Sequence, residues 1–284
     1  MTQPVRPAQN QPSGTKSVNP PFTSSSRTAL ITGASGGIGL ELAKLFARDK
    51  YALVLVARSK STMNQLVPEL QKLGSPRVLV IGKDLAELEA PDEIFEYTER
   101  LGLAIDVLVN NAGFGARGAF SALDLDTQLD MIQLNVVALT HLTKLYLPSM
   151  MKRATAAAPC RIMNVASTAA FQPGPFMAVY YATKAFVLSF SEAIAEELSG
   201  SNVTVTCLCP GATSTGFAER AGMANSKLFK VRVMDATTVA REGYAAMNAG
   251  KSLVVTGWKN KLMTLSVRFS PRSVVRKAVR RIQS

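Results

Sequence analysis

Short apolar runs alternate along this chain with longer stretches in which apolar residues recur every three or four positions. The short runs predict β-strands, and because they are continuously apolar, we expect strands that are buried on both faces. Strands alternating with helices predict an α/β fold, a doubly wound parallel sheet of the Rossmann-like type in a single domain. The predicted strands cover residues 28–32, 51–57, 77–82, 106–113, 161–167, 203–211 and 252–257, and the main predicted helices cover 61–73, 91–102, 124–152 and 179–199.

Polar residues and glycines collect where the apolar runs end. In a doubly wound sheet, ligands bind beyond the carboxyl ends of the strands, where the strand order reverses. The sequence therefore predicts one binding site along this edge. The residues that follow the predicted strands are the turn at 33–39, Arg58, Asp84, the segment 110–113, Ser167 and the segment 210–211.

A tyrosine and a lysine lie four residues apart in the predicted helix over 179–199. On a helix, this spacing places Tyr180 and Lys184 on one face, one turn apart. Ser167 lies thirteen residues before Tyr180, at the end of an apolar run. A hydroxyl, a phenol and an ammonium beside a nucleotide-binding turn are the groups of a hydride-transfer site. The simpler alternative, a solvated helix face, is disfavoured by the other motifs.

A glycine-rich turn, TGASGGIG, follows the first predicted strand and opens a helix. Its glycines permit a tight turn and close approach of the backbone to a pyrophosphate, to which the helix N-terminus adds positive potential. The spacing is GxxxGxG rather than GxGxxG, so this motif alone leaves a purely structural turn open. The candidate cofactor contacts in the turn are Gly33, Ser35, Gly37, Ile38 and Gly39.

The second strand is followed by basic residues where NAD-binding folds usually place an acid to hold the ribose hydroxyls. The segment VLVARSKS supplies Arg58 and Lys60 and no acidic residue. A cation suits a 2′-phosphate, so the sequence favours NADP over NAD, with a solvated basic loop as the alternative. Asp84, after the third strand, is a candidate contact for the adenine edge.

Together these motifs resemble the short-chain dehydrogenase/reductase family, in its branch of general bacterial-type enzymes. The turn TGASGGIG is similar to the family's TGxxxGxG, NNAG at 110–113 to the segment that steadies its sheet, and YYATK supplies YxxxK through Tyr180 rather than Tyr181. The resemblance covers about residues 27–257. It implies hydride transfer between a nicotinamide and an apolar carbonyl/alcohol pair, such as a ketone, a sterol-like or a 3-ketoacyl substrate.

The resemblance also implies a catalytic set of Asn135, Ser167, Tyr180 and Lys184. In the family, the tyrosine exchanges a proton with the substrate oxygen, the serine polarises that oxygen, the lysine holds the nicotinamide ribose and the asparagine maintains a water relay. We expect the ammonium of Lys184 to lower the pKa of the Tyr180 phenol from about 10. The further implied cofactor contacts are Asn111, Ala112, Gly113, Pro210, Gly211 and Thr215.

The two ends of the chain differ in composition from its middle. Residues 1–27 are rich in Pro, Ser, Gln, Asn and Thr and are predicted to be disordered. Residues 28–257 are predicted to form one Rossmann-type catalytic domain. Within it, a substrate lid is expected over about 212–236, because its apolar side chains suit a hydrophobic substrate, with core packing as the alternative. The apolar lid residues are Phe217, Met223, Leu228, Phe229 and Met234.

A basic extension over 258–284 holds a large share of the net charge of +12 and no acidic residue. Its end predicts an amphipathic helix, with Ser270 as N-cap and Pro271 at the first helical position. Such a helix either lies on an anionic membrane surface or packs its apolar face on the domain or on a second subunit. The apolar residues are Val274, Val275, Ala278, Val279 and Ile282, and the extension's basic residues are Lys259, Lys261, Arg268, Arg272, Arg276, Lys277, Arg280 and Arg281.

Other classes of protein are less favoured by the sequence. The three cysteines do not have the spacing of a disulfide framework or a metal site, so we expect no metal. The basic residues lack aromatic interleaving and any nucleic-acid reading motif. We expect a cytoplasmic enzyme, either free or peripheral to the membrane, that forms a dimer or tetramer through the helices near 124–152 and 179–199. An NADP-binding membrane-surface or regulatory protein with little turnover is the alternative.

Overall fold

The computed structural model describes residues 26–222 and 233–283. Its strands are β1 Thr28–Thr32, β2 Ala52–Ala57, β3 Val78–Gly82, β4 Ile105–Asn110, β5 Cys160–Val165, β6 Val203–Cys209, β7 Thr213–Ser214, β8 Met234–Asp235 and β9 Leu253–Val255. Seven of them form a parallel sheet in the order β3-β2-β1-β4-β5-β6-β9, and β7 pairs with β8. The strand order reverses between β1 and β4, so the predicted doubly wound, Rossmann-like sheet is confirmed.

Helices cover both faces of the sheet. They are α1 Gly37–Arg48, α2 Lys60–Leu73, α3 Ala90–Arg100, α4 Leu125–Ile132, α5 Leu139–Arg153, α6 Ala178–Glu197, α7 Phe217–Arg220, α8 Ala236–Asn248, α9 Trp258–Phe269 and α10 Arg272–Gln283. Buried side chains of α1, α2 and α8 pack on one face of the sheet. Those of α3, α5 and α6 pack on the other.

Strand β2 shows why the apolar runs are continuous. Leu53 and Leu55 point into the core beneath α1 and α2. Val54 and Val56 point into the opposite core beneath α3 and α5. All four side chains are fully buried. Both faces of the strand therefore require apolar residues, as expected for the centre of a parallel sheet.

The structure differs from the sequence prediction in the helix expected over 124–152. A π-helical segment, Gln133–Ala138, separates α4 from α5. The wider π turn adds a residue to the helical path and is often found at functional sites. Here it carries Asn135, one of the residues of the predicted catalytic set.

The C-terminal extension contains two helices, α9 and α10, where the sequence analysis predicted only the second. The prediction that Ser270 caps α10 is wrong. Its hydroxyl donates instead to the carbonyl oxygen of Ser266, at 2.9 Å, and thereby satisfies a free carbonyl at the end of α9. The carbonyl oxygen of Pro271 accepts the first helical hydrogen bond of α10, from Val275 N at 3.2 Å.

Candidate active site

The carboxyl ends of the strands open into one cleft of about 1680 Å³. This edge of the sheet brings together residues that are far apart in the sequence, because all the long strands run parallel. Of the predicted site residues, Gly39 and Asn135 lie behind the cleft wall. Those that line the cleft are Gly33, Ser35, Gly37, Ile38, Arg58, Asp84, Asn111, Ala112, Gly113, Ser167, Tyr180, Lys184, Pro210, Gly211 and Thr215.

The glycine turn leaves the N-terminus of α1 open to the cleft. Gly36 precedes the helix without a capping side chain, and the first turn has no acidic residue. Gly37 has a φ of +56°, in the left-handed region that favours glycine. A Cβ on Gly39 would lie 2.5 Å from Asn111 Nδ2, too close for any side chain. The turn therefore fits a pyrophosphate, which needs close backbone approach and free helical N–H groups.

A hydrogen-bonded brace behind the turn joins Thr32 to the segment 110–113, which the resemblance implied would steady the sheet; the part of Thr32 was not foreseen from the sequence. Thr32 Oγ1 accepts from the backbone N–H groups of Asn111, at 2.9 Å, and Ala112, at 3.0 Å. Asn111 Nδ2 donates to the carbonyl oxygens of Thr32 and Gly33, at 2.9 and 3.2 Å. The side chain of Asn111 thus holds β4 against the glycine turn. Thr32, a polar residue directly after the apolar run 29–31, was the available signal.

Arg58 and Asp84 lie side by side at the ends of β2 and β3. Arg58 Nη1 is 3.8 Å from Asp84 Oδ2, and the Arg58 side chain is 66% exposed. Asp84 Oδ1 also accepts from Ala86 N, at 3.0 Å. Ser59, which lines the cleft beside Arg58, caps α2 by accepting from Thr62 N. A mostly exposed guanidinium is thus available at the cleft wall for an anionic group.

Ser167, Tyr180 and Lys184 meet where β5 and α6 approach each other. Ser167 Oγ accepts from Ala169 N, at 3.1 Å, and donates to the carbonyl oxygen of Pro210, at 3.4 Å. The Ser167 hydroxyl is also close enough to the Tyr180 phenol to act on its pKa. Lys184 Nζ donates to the carbonyl oxygen of Val165, at 2.8 Å, and lies 5.9 Å from the centroid of the Tyr180 ring. The hydroxyl, the phenol and the ammonium therefore occupy one wall of the cleft.

Burial dominates the acidity of this group. It raises the pKa of the Tyr180 phenol, although the hydrogen bond with Ser167 acts to lower it. Burial also lowers the pKa of Lys184 to about 8. The nearby Cys207 and Cys209 act in the opposite direction and raise the pKa of Lys184, but their effect is smaller. The expectation that Lys184 lowers the pKa of Tyr180 is wrong here, because loss of hydration disfavours the phenolate. The phenol is consequently protonated at neutral pH.

Asn135 is held by three hydrogen bonds from its position in the π-helical segment. Its Oδ1 accepts from Phe114 N, at 3.1 Å, and its Nδ2 donates to Phe114 O, at 2.9 Å. Nδ2 also donates to Thr183 Oγ1, at 3.1 Å, and the Thr183 hydroxyl donates to the carbonyl oxygen of Tyr180, at 2.7 Å. Asn135 therefore connects the segment after β4 with the helix that carries Tyr180 and Lys184.

Helix α10 closes the cleft above the tyrosines, a role that the sequence analysis did not assign to it. Val275 and Val279 are buried in a cluster with Tyr180 and Tyr181. Gln283 Nε2 donates to Tyr181 OH, at 2.9 Å. The helix packs two members of its predicted apolar face on the domain, which is one of the alternatives that the sequence left open.

Arg117 fastens the end of α10 to the domain. Its Nε donates to the carbonyl oxygen of Gln283, at 2.9 Å, and its Nη2 donates to the same oxygen. Because Gln283 is the last residue of the helix, this bond satisfies one of the carbonyls that helix ends leave free. The basic side chain of Arg117 also suits the negative end of the helix dipole.

The described part of the predicted lid borders Tyr180. The Phe217 ring centroid lies 5.3 Å from that of Tyr180, and Phe217 N donates to Thr215 Oγ1, at 3.3 Å. Both Phe217 and Met234 line the cleft. The other apolar lid residues, Met223, Leu228 and Phe229, lie outside the described residues, as does most of the predicted disordered tail.

Residues 26–222 and 233–283 contain no group of three or more His, Cys, Asp or Glu side chains that could hold a metal ion. In the same part of the chain, no helix is both long and apolar enough to cross a membrane.

Comparisons with known proteins agree with this fold. The sequence profile of the short chain dehydrogenases matches residues 27–225. The ketoacyl reductase HetN of Nostoc sp. is 31% identical over 252 residues, which are 88% of this chain and 81% of that protein.

Solved structures of similar proteins cover most of the chain. A short-chain dehydrogenase from Sphingobium yanoikuyae in complex with NADPH is 30% identical, with a TM-score of 0.75 over 84% of this chain and 92% of that one. The bulky-bulky ketone specific alcohol dehydrogenase from Comamonas testosteroni is 29% identical, with a TM-score of 0.71 over 86% and 92%.

The fold and the comparisons define an oxidoreductase that acts on CH–OH groups and their carbonyl counterparts with a nicotinamide cofactor. The chain belongs to the short-chain dehydrogenase/reductase family.

Proposed function

We propose that this chain is an NADP-dependent oxidoreductase that interconverts an apolar ketone and its alcohol, with Tyr180 as general acid/base. The observation that carries the proposal is the placement of Ser167, Tyr180 and Lys184 on one wall of the cleft, with the Lys184 ammonium 5.9 Å from the centroid of the Tyr180 ring. A hydroxyl and a phenol that meet at one point can both bind a single carbonyl oxygen. Two fixed donors directed at one oxygen would polarise a carbonyl bound there.

Each residue of the proposed catalytic set has a separate part in the reaction. When bound, the nicotinamide supplies the hydride in reduction and takes it up in oxidation. Tyr180 donates its proton to the substrate oxygen during reduction, and its raised pKa keeps it in the protonated form required for that step. Ser167 holds the same oxygen in place. Lys184, which lines the same wall, would hold the nicotinamide ribose, and Asn135 links the helix of Lys184 to the segment after β4.

Several features support NADP as the cofactor. The glycine turn and the uncapped start of α1 fit the pyrophosphate. Arg58 stands at the end of β2, where an acid would favour NAD, and its guanidinium is mostly exposed. A 2′-phosphate would compete with Asp84 for this guanidinium, and it offers more acceptor atoms than one carboxylate. The similar enzyme from Sphingobium yanoikuyae binds NADPH.

The substrate end of the cleft supports an apolar ligand. Phe217, Met177 and Val279 line it next to Tyr180. Such walls favour a hydrophobic group attached to the reacting carbonyl. Ketoacyl reductase HetN and the alcohol dehydrogenase specific for bulky-bulky ketones, both similar to this chain, are named for carbonyl compounds of this kind.

We also propose a homo-oligomer formed through α4 and α6. Leu125, Leu129 and Ile132 recur at helical spacing on α4 and are 65, 52 and 39% exposed. On α6, Phe186 is 41% exposed and stacks on Phe190, with ring centroids 5.8 Å apart. Exposed apolar residues that are contiguous on a helix face commonly mark protein interfaces.

The experiment that tests the proposed function is NADPH oxidation with a panel of ketones and 3-ketoacyl thioesters of increasing chain length. The same panel is run with NADH. We expect turnover that requires NADPH and increases with chain length. Tight NADPH binding without turnover on any member would contradict the proposal and favour a regulatory, cofactor-binding protein.

A further inference from the structure

Helix α9 carries an apolar stripe on its outer surface. Its four members are Trp258, Leu262, Leu265 and Phe269, whose side chains are 70, 61, 50 and 82% exposed. At 3.6 residues per turn, they fall within about 60° of the helix circumference. We call these four residues the α9 stripe. Among the described residues, no segment packs over these four side chains closely enough to bury them.

The opposite face of α9 is used by the domain. Thr264 is buried, and Val267 packs partly buried against the cluster that includes Tyr180, Val275 and Val279. The α9 stripe therefore faces away from the core of the domain, and its first residue, Trp258, lies at the opening of the cleft. Large apolar side chains that lie in a continuous exposed row usually contact a partner.

Positive charges flank the α9 stripe on both sides. On a helical projection, Lys259 lies on one side of the stripe, and Lys261 and Arg268 lie on the other. All three are exposed, and no acidic residue occurs between positions 258 and 284. Lys259 Nζ also lies 5.5 Å from the centroid of the Trp258 ring. A partner that fits this surface is apolar in its interior and negatively charged at its boundary.

We propose that the α9 stripe docks the protein on an anionic phospholipid surface, with α9 lying in the plane of the interface. An apolar row bordered by cations is the pattern of helices that bind in this way, and tryptophan favours the boundary between lipid and water. A second protein copy would also cover the row, but the cations on both of its edges would then face their own equivalents.

The structure favours α9 for this contact over α10, the helix for which the sequence left membrane contact and packing on protein open. On α10, Val275 and Val279 are occupied by the packing above the tyrosines. The first residue of the α9 stripe, Trp258, instead lines the cleft itself, together with Val274 and Ile282 of α10. An apolar substrate dissolved in the lipid would thus meet the open side of the cleft. This last step rests on the proposed function, whereas the docking does not.

The only tryptophan of the chain gives a direct test, because Trp258 belongs to the α9 stripe. The full-length protein without cofactor is mixed with vesicles of phosphatidylcholine alone or with added phosphatidylserine. We expect a blue shift of tryptophan emission and quenching by brominated lipid, both with the anionic vesicles and weaker at high salt. Absence of the shift, or an equal shift with both vesicles, would overturn the proposal.

A paired variant tests the α9 stripe itself. The double substitution Leu262→Gln with Phe269→Gln should lower the affinity for anionic vesicles, measured by co-sedimentation, by about tenfold or more. The matched control is Leu88→Gln with Phe120→Gln, which removes two residues of similar exposure, 65 and 67%, outside the C-terminal helices. Equal loss in both variants, or no loss in the first, would contradict docking through α9.

Two further measurements separate the remaining explanations. If the emission shift follows protein concentration without vesicles, and sedimentation shows an assembly that the Leu262/Phe269 variant loses, the stripe binds a second copy and the membrane proposal fails. Turnover of a water-soluble ketone should be unchanged in that variant. If wild-type protein binds anionic vesicles but reduces no ketone, the docking proposal holds and the proposed function fails.

Discussion

The buried ammonium of Lys184 makes the stability of the protein depend on pH in a defined window. Burial lowers its pKa from 10.5 to about 8, whereas the unfolded chain keeps the ordinary value. Between these two values the unfolded state binds more protons, so the free energy of unfolding rises with pH. Below pH 8, the buried charge lowers the free energy of unfolding by the full amount, and this loss of stability disappears as pH approaches 10.5. At about 1.4 kcal/mol per pKa unit, the change is about 3 kcal/mol.

Urea unfolding of wild type and Lys184→Met at intervals between pH 7 and pH 10 tests this value. Methionine is similar in length and carries no charge, so the difference between the two proteins reports the buried ammonium. We expect wild type to gain about 2 to 3 kcal/mol relative to the variant across this range. A difference that stays constant with pH would refute the reasoning. Wild-type affinity for NADPH should also fall above pH 8, where Lys184 loses its proton.

Three other substitutions test separate parts of the account. Arg58→Ala should raise the KM for NADPH about tenfold and leave that for NADH unchanged, whereas Lys60→Ala should change neither in steady-state assays. Gln283→Ala leaves the buried Tyr181 hydroxyl without its partner and should lower the free energy of unfolding by about 1 kcal/mol in urea titrations, so an unchanged value would argue against closure by α10. Leu129→Glu should convert the oligomer to monomers in light scattering, and an unaltered mass would place the interface elsewhere.

The sequence predicted those parts of the protein that depend on neighbouring residues along the chain. Each central strand is a continuous apolar run because both of its faces are buried, as in β2, and that alone predicts a parallel sheet. The positions of Arg58, Asp84 and Ser167 then follow from the rule that sites lie beyond the carboxyl ends of strands. Within the turn at 33–39, Gly37 is required for a local backbone reason, its φ of +56°. These features require no knowledge of distant contacts.

What the sequence could not predict depends on pairs of residues that only the tertiary structure brings together. Arg117 meets Gln283 across most of the chain, and Asn135 meets Thr183 on another helix. Helical periodicity shows that Val275 and Val279 share a face, but it does not say what that face covers. Spacing likewise places Lys184 near Tyr180 without revealing their burial, which raises rather than lowers the pKa of the phenol.

The central claim is that Tyr180 moves the proton, and its most direct test compares two neighbouring tyrosines. NADPH binding and single-turnover ketone reduction are measured in wild type, Tyr180→Phe and Tyr181→Phe. Removing a general acid typically costs about 100- to 10,000-fold in rate. The account predicts that Tyr180→Phe binds NADPH normally and loses at least this much of the rate, while Tyr181→Phe stays within a few-fold of wild type. Turnover by Tyr180→Phe at a rate similar to wild type would contradict it.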